Sequence, residues 1–359
     1  KHAPFSDIAS IHWRLSGQPR RFPDRPNEYQ YGGGHLDNGS IYFVTGGARR
    51  WLDISRGRVA AAIRSQQADG SWRYEGEYRR GHFENTASGF CADRVEILLE
   101  FAHQTGDKTA LEAGLKGLEF CRRFSVPRGS QVWEIPLHTP DVLGCASMMH
   151  SFVRGYELTG KREYLDEARR WAVRGIPFVY LWQRDDLPIM RYSTTPVLGA
   201  TFWRSPNWIG LPVQWCGGVY ADSLVMLAAH DSSMDWRKLA RGILIAAEQH
   251  QYPDGERAGL LPDSFGLASQ RRRPADINPS AILQLRMILD DEPCSLEVAR
   301  DEKTGHTVIA PFPVEIKDGQ AIVTAEAGKT YQIVLDGHRI IEVKSQGVDT
   351  IPIDPPSDG

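Results

Sequence analysis

Cysteine is scarce in this chain, five among 359 residues, and odd in number. Cys91, Cys121, Cys145, Cys216 and Cys294 are scattered, with no CxxC or CxxH spacing, so neither a disulfide framework nor a zinc site is expected. No apolar run is long enough to span a bilayer. Excess charge of one sign is also missing. The formal net charge is −3, which gives no electrostatic case for nucleic acid or an anionic membrane. The EF-hand pattern is absent, and no cofactor is implied. The sequence shown carries no signal peptide and begins at Lys1, so an upstream export signal, and with it a secreted or periplasmic location, stays open. Oligomeric state is not legible.

What is present is a helical pattern. Apolar residues recur at helical spacing over Ile54–Gln67, Thr86–His103, Ala110–Phe124, Asp141–Leu158, Lys161–Tyr180, Tyr220–His230, Asp235–Gln249 and Pro279–Leu289. Part of this pattern repeats. Thr105-Gly106-Asp107 and Thr159-Gly160-Lys161 are matching turns. Upstream of them, Gly89-Phe90-Cys91-Ala92 echoes Gly144-Cys145-Ala146, and a weaker third copy runs from Gly218 to Ala240. Each unit is a helical hairpin. Single hairpins cannot bury both faces, so they stack side by side into a solenoid or a closed ring. Residues 1–50, rich in Gly, Pro and Arg, suggest an extended arm. Beyond Pro293, short β-like runs alternate with the turns Asp318-Gly319, Ala327-Gly328 and Asp336-Gly337. The expected organisation is an arm (1–50), a hairpin array (51–292) and a small antiparallel β-sandwich-like module with a tail (293–359).

The segment Gln67-Ala68-Asp69-Gly70-Ser71-Trp72 follows an apolar helix and resembles the Q-x-D-G-S-W signature of α/α-toroid proteins. These include triterpene cyclases, polysaccharide lyases and glycoside hydrolases. Gln caps the helix, Asp-Gly turns the chain, and Trp packs back. Cyclases need an Asp-rich protonating motif. Asp185-Asp186 and Asp290-Asp291, the adjacent Asp pairs here, lack that context. The resemblance therefore implies a carbohydrate-active α/α toroid without fixing one family. A six-hairpin ring needs twelve helices and the pattern supplies about eight, so an incomplete ring is allowed for.

Arg191–Asp222 is the most distinctive stretch, with Trp203, Trp208, Trp215, Tyr192 and Tyr220 set among Arg191, Arg204, Asn207 and Asp222. A long aromatic loop between helices tends to be functional, and flat aromatic faces interleaved with polar groups suit a sugar ring. Local core packing is the competing explanation. Three other loops precede the hairpins, at 74–85, 132–141 and 255–276. The first two place His82 with Glu84, and Glu134 with His138, at equivalent repeat positions; helix capping explains such residues as readily.

Two chemistries fit. Hydrolysis needs two carboxylates of different protonation. Glu84, Glu134, Asp141, Asp222 and Asp263 are the candidates, with Glu134 beside Trp133 as acid and Asp222 or Asp263 as base. β-Elimination on a uronic-acid glycan needs a base such as His138 or His82, an acid such as Tyr192 or Tyr220, and Arg191, Arg204 and Asn207 to hold the carboxylate. A non-catalytic glycan-binding toroid would use the same aromatics, Trp133, Trp203, Trp208, Trp215 and Tyr220. The expected partner in each case is a poly- or oligosaccharide.

Overall fold

The fold was taken from a computed structural model, which describes residues 40–76, 85–133, 135–198, 208, 210–277, 279–292 and 295–353. Among these residues the helices are α1 (Ser40–Val44), α2 (Ala48–Ser65), α3 (Ser88–Thr105), α4 (Lys108–Cys121), α5 (Val142–Thr159), α6 (Arg162–Gly175), α7 (Gln214–Ala228), α8 (Trp236–His250) and α9 (Ser280–Leu289). None is long and apolar enough to cross a membrane. They form consecutive hairpins, α3–α4, α5–α6 and α7–α8. The first partner of each packs on the next along an inner row, α3 on α5 and α5 on α7, while α4, α6 and α8 lie outside. This is the hairpin arrangement of an α/α toroid.

The repeat in the sequence is a repeat in the hydrogen bonds. Thr105 Oγ1 donates to the Phe101 carbonyl at 2.7 Å and accepts from the Asp107 amide. Thr159 Oγ1 donates to Gly155 at 2.6 Å and accepts from the Lys161 amide. Between them Gly106 and Gly160 take φ of 75° and 69°, a left-handed helix stop that side-chain-bearing residues rarely adopt. Asp107 then caps α4 by accepting from the Ala110 amide. The third turn has no such glycine. There Asp231, in place of the Thr-Gly pair, accepts from Trp236 Nε1 and from Arg169.

The Gln67–Trp72 segment behaves as its residues suggest. Gln67 Nε2 donates to the Ser65 carbonyl at the helix end. Asp69 accepts from the Ser71 amide and hydroxyl, and the buried Trp72 indole donates to the Ala62 carbonyl at 2.8 Å. Gln66 adds a bond to the Ala113 carbonyl, tying α2 to α4. One apolar core runs through the helices, with Trp72, Trp171, Trp236, Tyr164 and Tyr220 fully enclosed. Cys91, Cys121, Cys145 and Cys216 are buried free thiols; Cys294 lies outside the described residues.

Two features differ from the sequence expectations. Ser40–Val44 is a short helix within the stretch expected to be an arm. The 255–276 loop contains an antiparallel hairpin, β1 (Leu261–Gly266) and β2 (Arg271–Ile277). Its turn lacks the usual Gly or Asn; Gln270 itself takes φ of 52° and bonds Ile189 through its side-chain amide. Beyond α9, strands β3 (Glu297–Arg300), β4 (Thr307–Ala310), β5 (Val314–Lys317), β6 (Gln320–Thr324), β7 (Thr330–Leu335), β8 (Arg339–Lys344) and β9 (Val348–Pro352) form two antiparallel sheets, ordered β3-β4-β7-β8 and β5-β6-β9, around one apolar cluster. Arg56 to the Gly337 carbonyl (2.9 Å) and Arg300 to the His103 carbonyl (3.1 Å) join them to the helices.

Candidate active site

The inner helices are buried nearly all round, yet each keeps a partly exposed stripe at helical spacing. On α3 it includes Asp93, Glu96 and Glu100; on α5, His150, Arg154 and Glu157; on α7, Trp215, Asp222 and Met226, with the buried Gly218 between the first two. A Cβ placed on Gly218 would meet nothing within 4 Å, so this stripe borders open space. Two buried hydroxyl bonds fix how the stripes align. Ser151 donates to the Ala92 carbonyl and Ser223 to the Ala146 carbonyl, each at 3.2 Å. A helical carbonyl points toward the residue four positions on. Ser151 is therefore level with Glu96, and Ser223 with His150. Glu96, His150 and Asp222 thus share one level of the inner face.

The charges at that level are linked. Glu100 Oε1 lies 2.6 Å from His150 Nε2 and 2.8 Å from Arg154 Nε. Arg154 also binds Glu157, whose other oxygen lies 2.7 Å from His230 Nε2. Burial works against ionisation of Glu100, but Arg154 and His150 outweigh it and hold that carboxyl far below the usual range. Burial likewise opposes charging of His150, and the carboxylates Glu96 and Glu100 reverse this, lifting it to about 9. His103 goes the other way, to about 4, because burial and Arg154 disfavour its cation.

Asp222 is raised to about 6, first by burial; Glu96 and Glu100 add to the rise, and His150 and Arg154 oppose it. No hydrogen bond to Asp222 is found among the described residues. A carboxyl poised near neutrality beside an ionised one is the arrangement acid–base catalysis requires. Asp141, with its carboxyl at about 7, is a different case. It is the N-cap of α5, wholly enclosed, and accepts from the Gly144 amide at 2.6 Å and the Ser130 amide at 3.1 Å. Its capping role accounts for it.

Above the stripes, at the helix N-termini, stand two indoles. Trp133 is 54% exposed, and its ring centroid lies 6.3 Å from that of Trp215 in the first turn of α7, the planes tilted by 31°. Tyr74 borders the same rim, its hydroxyl donating to the Val132 carbonyl.

The remaining sequence candidates divide. Glu134, Glu84, His82, Trp203, Arg204 and Asn207 lie outside the described residues. Trp208 and Tyr220 do not present sugar-binding faces. Both are buried, and the Tyr220 hydroxyl donates to the Ala172 carbonyl of α6; burial, with Cys145 adding to it, pushes its proton loss far out of range for an acid. Tyr192 sits at φ of 65° with its ring against α8, where a Cβ on Gly242 would come within 2.7 Å of it. Arg191 lies over that ring at 5.0 Å. Both ring nitrogens of His138 are shut off from solvent, so it is not placed to receive a proton from a substrate. Asp263 lies at a register shift of β1, half-buried, and burial raises its carboxyl. Glu96, Glu100 and Arg154 were not singled out from the sequence, and His150, inside a helix, reads there as an ordinary hydrogen-bonded or surface histidine. The available signal was a polar residue every third or fourth position in otherwise apolar helices. Among the described residues no cluster of His, Cys, Asp and Glu is arranged to hold a metal ion.

No protein-family model matches the sequence, and no curated protein matches it. Solved structures are similar in fold. An unsaturated glucuronyl hydrolase from Bacillus sp. GL1 shares 17% identity over 79% of this chain and 77% of that one, with a TM-score of 0.47. An unsaturated glucuronyl hydrolase specific for heparin shares 14% over 80% and 86%, with a TM-score of 0.48. A GH76 α-mannanase from Bacteroides thetaiotaomicron shares 11% over 79% and 68%, with a TM-score of 0.47. Likeness at this level concerns the fold and assigns no residue.

Proposed function

We propose that this chain hydrolyses glycosidic bonds in a poly- or oligosaccharide. The observation that carries this is the alignment of Asp222 with Glu96 on the inner face, beneath the two adjoining indoles of Trp133 and Trp215. The indoles offer flat apolar faces to a sugar ring that enters from the rim. Asp222 serves as the general acid. It protonates the departing glycosidic oxygen, and Glu96, at the same level of the inner row, serves as the second carboxylate.

Hydrolysis is favoured over elimination by the chain's own groups. Tyr220, one of the two candidate acids for elimination, is committed to a buried hydrogen bond, and the ring of the other, Tyr192, is packed against α8. The inner stripe instead concentrates carboxylates.

A substrate panel tests the proposal. It includes neutral glycans, saturated and unsaturated uronides, and α-mannosides, read by new reducing ends and by ultraviolet absorbance. Turnover is expected to release reducing ends, and kcat/KM to fall as pH rises through about 6, where Asp222 loses its proton. Asp222→Asn is expected to lower kcat by about 10²–10⁴-fold with binding retained. A product with a new ultraviolet-absorbing double bond would establish elimination instead. Binding without turnover across the panel would make the chain a glycan-binding module.

A further inference from the structure

We propose that His150 is a positioning residue: clamped by Glu100, it presents a fixed positive charge to Asp222 and so sets the pH range over which Asp222 carries its proton. This rests on Asp222 being the acid of the proposed hydrolysis.

The geometry assigns the part. The Ser223–Ala146 bond places Asp222 on α7 level with His150 on α5. The 2.6 Å contact between His150 Nε2 and Glu100 Oε1 fixes the imidazole from the α3 side, leaving the ring no freedom to swing away. Arg154 Nε, on the same oxygen at 2.8 Å, fixes Glu100 in turn. Arg154 is itself held by Glu157, and Glu157 by His230, so the clamp is anchored across the inner row.

The groups facing this pair come from two helices. From α3 they are Glu96, Glu100 and His103, and from α5 Arg154. Packed against α7 from elsewhere, α9 contributes one charged residue, Arg286, and this pairs with Glu248 of α8. Arg237 and Arg241 of α8 are engaged with the Leu289 carbonyl, Asp291 and Asp290. His150 is thus the titratable cation at the level of Asp222, with Arg154 one turn below. Two carboxylates, Glu96 and Glu100, push Asp222 toward holding its proton, and His150 pulls the other way. Without His150, the acid would stay protonated to a higher pH.

The variants His150→Gln and His150→Lys test this through the pH profile of kcat/KM. His150→Gln is expected to move the basic limb upward by about one pH unit, the size of a nearby-charge effect. His150→Lys, which restores the cation, is expected to bring the limb back toward wild type. A purely structural role would lower kcat at every pH and leave the limb in place, and that outcome overturns the proposal. An independent measurement needs no variant to fold. The His150 ring, followed by nitrogen NMR in the wild-type protein, is expected to remain an imidazolium through pH 8, because Glu96 and Glu100 hold its proton to about 9. A neutral ring at pH 7.5 would overturn the proposal as well. Failure of the underlying reading is told apart: an ultraviolet-absorbing product or no turnover in wild type removes the hydrolase, and wild-type turnover by Asp222→Asn removes Asp222 as its acid, whatever the state of His150.

Discussion

His250 offers a quantitative test of how the rim is held. It ends α8 and is fully enclosed. Its ring is stacked on Phe265 of β1, with centroids 4.5 Å apart and planes 19° from parallel, and its Nε2 lies 3.0 Å from the Ser193 hydroxyl. These contacts join the 179–194 loop and the β1–β2 hairpin to the helix array, next to the start of α7. Burial, and then the Arg272 guanidinium that caps the same helix end, disfavour the imidazolium and lower its pKa to about 3. The unfolded chain binds that proton near pH 6.5. Its stabilising effect is therefore complete above about 6.5 and is lost as pH falls toward 3. At pH 4.5 the unfolded imidazole lies two units below its own pKa while the folded ring is still neutral, which removes about 2.5 kcal/mol relative to pH 7. His250→Gln deletes this proton linkage. The variant also loses the ring stacking, at a cost of about 0.5–1.5 kcal/mol at pH 7. Urea unfolding at both pH values, followed by tryptophan fluorescence, should show wild type ahead at pH 7 and the variant ahead at pH 4.5. Other acid-sensitive groups are common to both proteins and cancel in the double difference. Equal losses in the two proteins would show that His250 is not held neutral and refute the reasoning.

Two further outcomes are expected. Trp133→Ala, which removes a half-exposed indole that supports little of the core, should raise KM about three- to tenfold with kcat nearly unchanged; steady-state kinetics on any substrate turned over would show it, and an unchanged KM would detach this indole from the site. Gly242→Ala places a methyl group 2.7 Å from the Tyr192 ring and should cost about 1–3 kcal/mol in denaturant unfolding; a neutral result would mean that the ring is not packed on α8 as described.

The helix hairpins were legible because their information is local. The Thr-Gly turns specify both a left-handed stop and a hydroxyl-to-carbonyl bond, and they do so identically in two repeats. The β1–β2 hairpin was not, because nothing local announces it. Gln270 adopts the left-handed turn conformation without the glycine or asparagine that usually signals it, held there by distant contacts to Ile189. Arg272, in the basic run Arg271–Arg273, spends its guanidinium on the carbonyls of Gln249, His250 and Gln251. Tyr220 misled in the opposite direction. The sequence pattern sets it where the aromatic loop meets a helix starting at Tyr220, but that helix begins at Gln214, and Tyr220 falls in its second turn, enclosed on nearly every side.

That enclosure explains why Asp222, among the described catalytic candidates of the sequence, joins the site on geometry. In α7 it is the single acidic residue among apolar and small ones. Enclosing a carboxyl in such a helix with no partner costs several kcal/mol, so a chain keeps one there only where an opening or a compensating charge exists. Gly218, one turn toward the rim, supplies the opening, and His150 across the row supplies the charge. On α3 and α5 the same inference was masked. Glutamates, histidines and arginines every third or fourth residue describe a solvent-facing stripe equally well, and the sequence does not say which side of a helix its neighbours cover. The face turned inward becomes distinguishable only once Ser151 and Ser223 lock the three helices in register. Breaking one of those bonds, by Ser223→Val, should therefore disturb the Asp222 titration more than it disturbs stability.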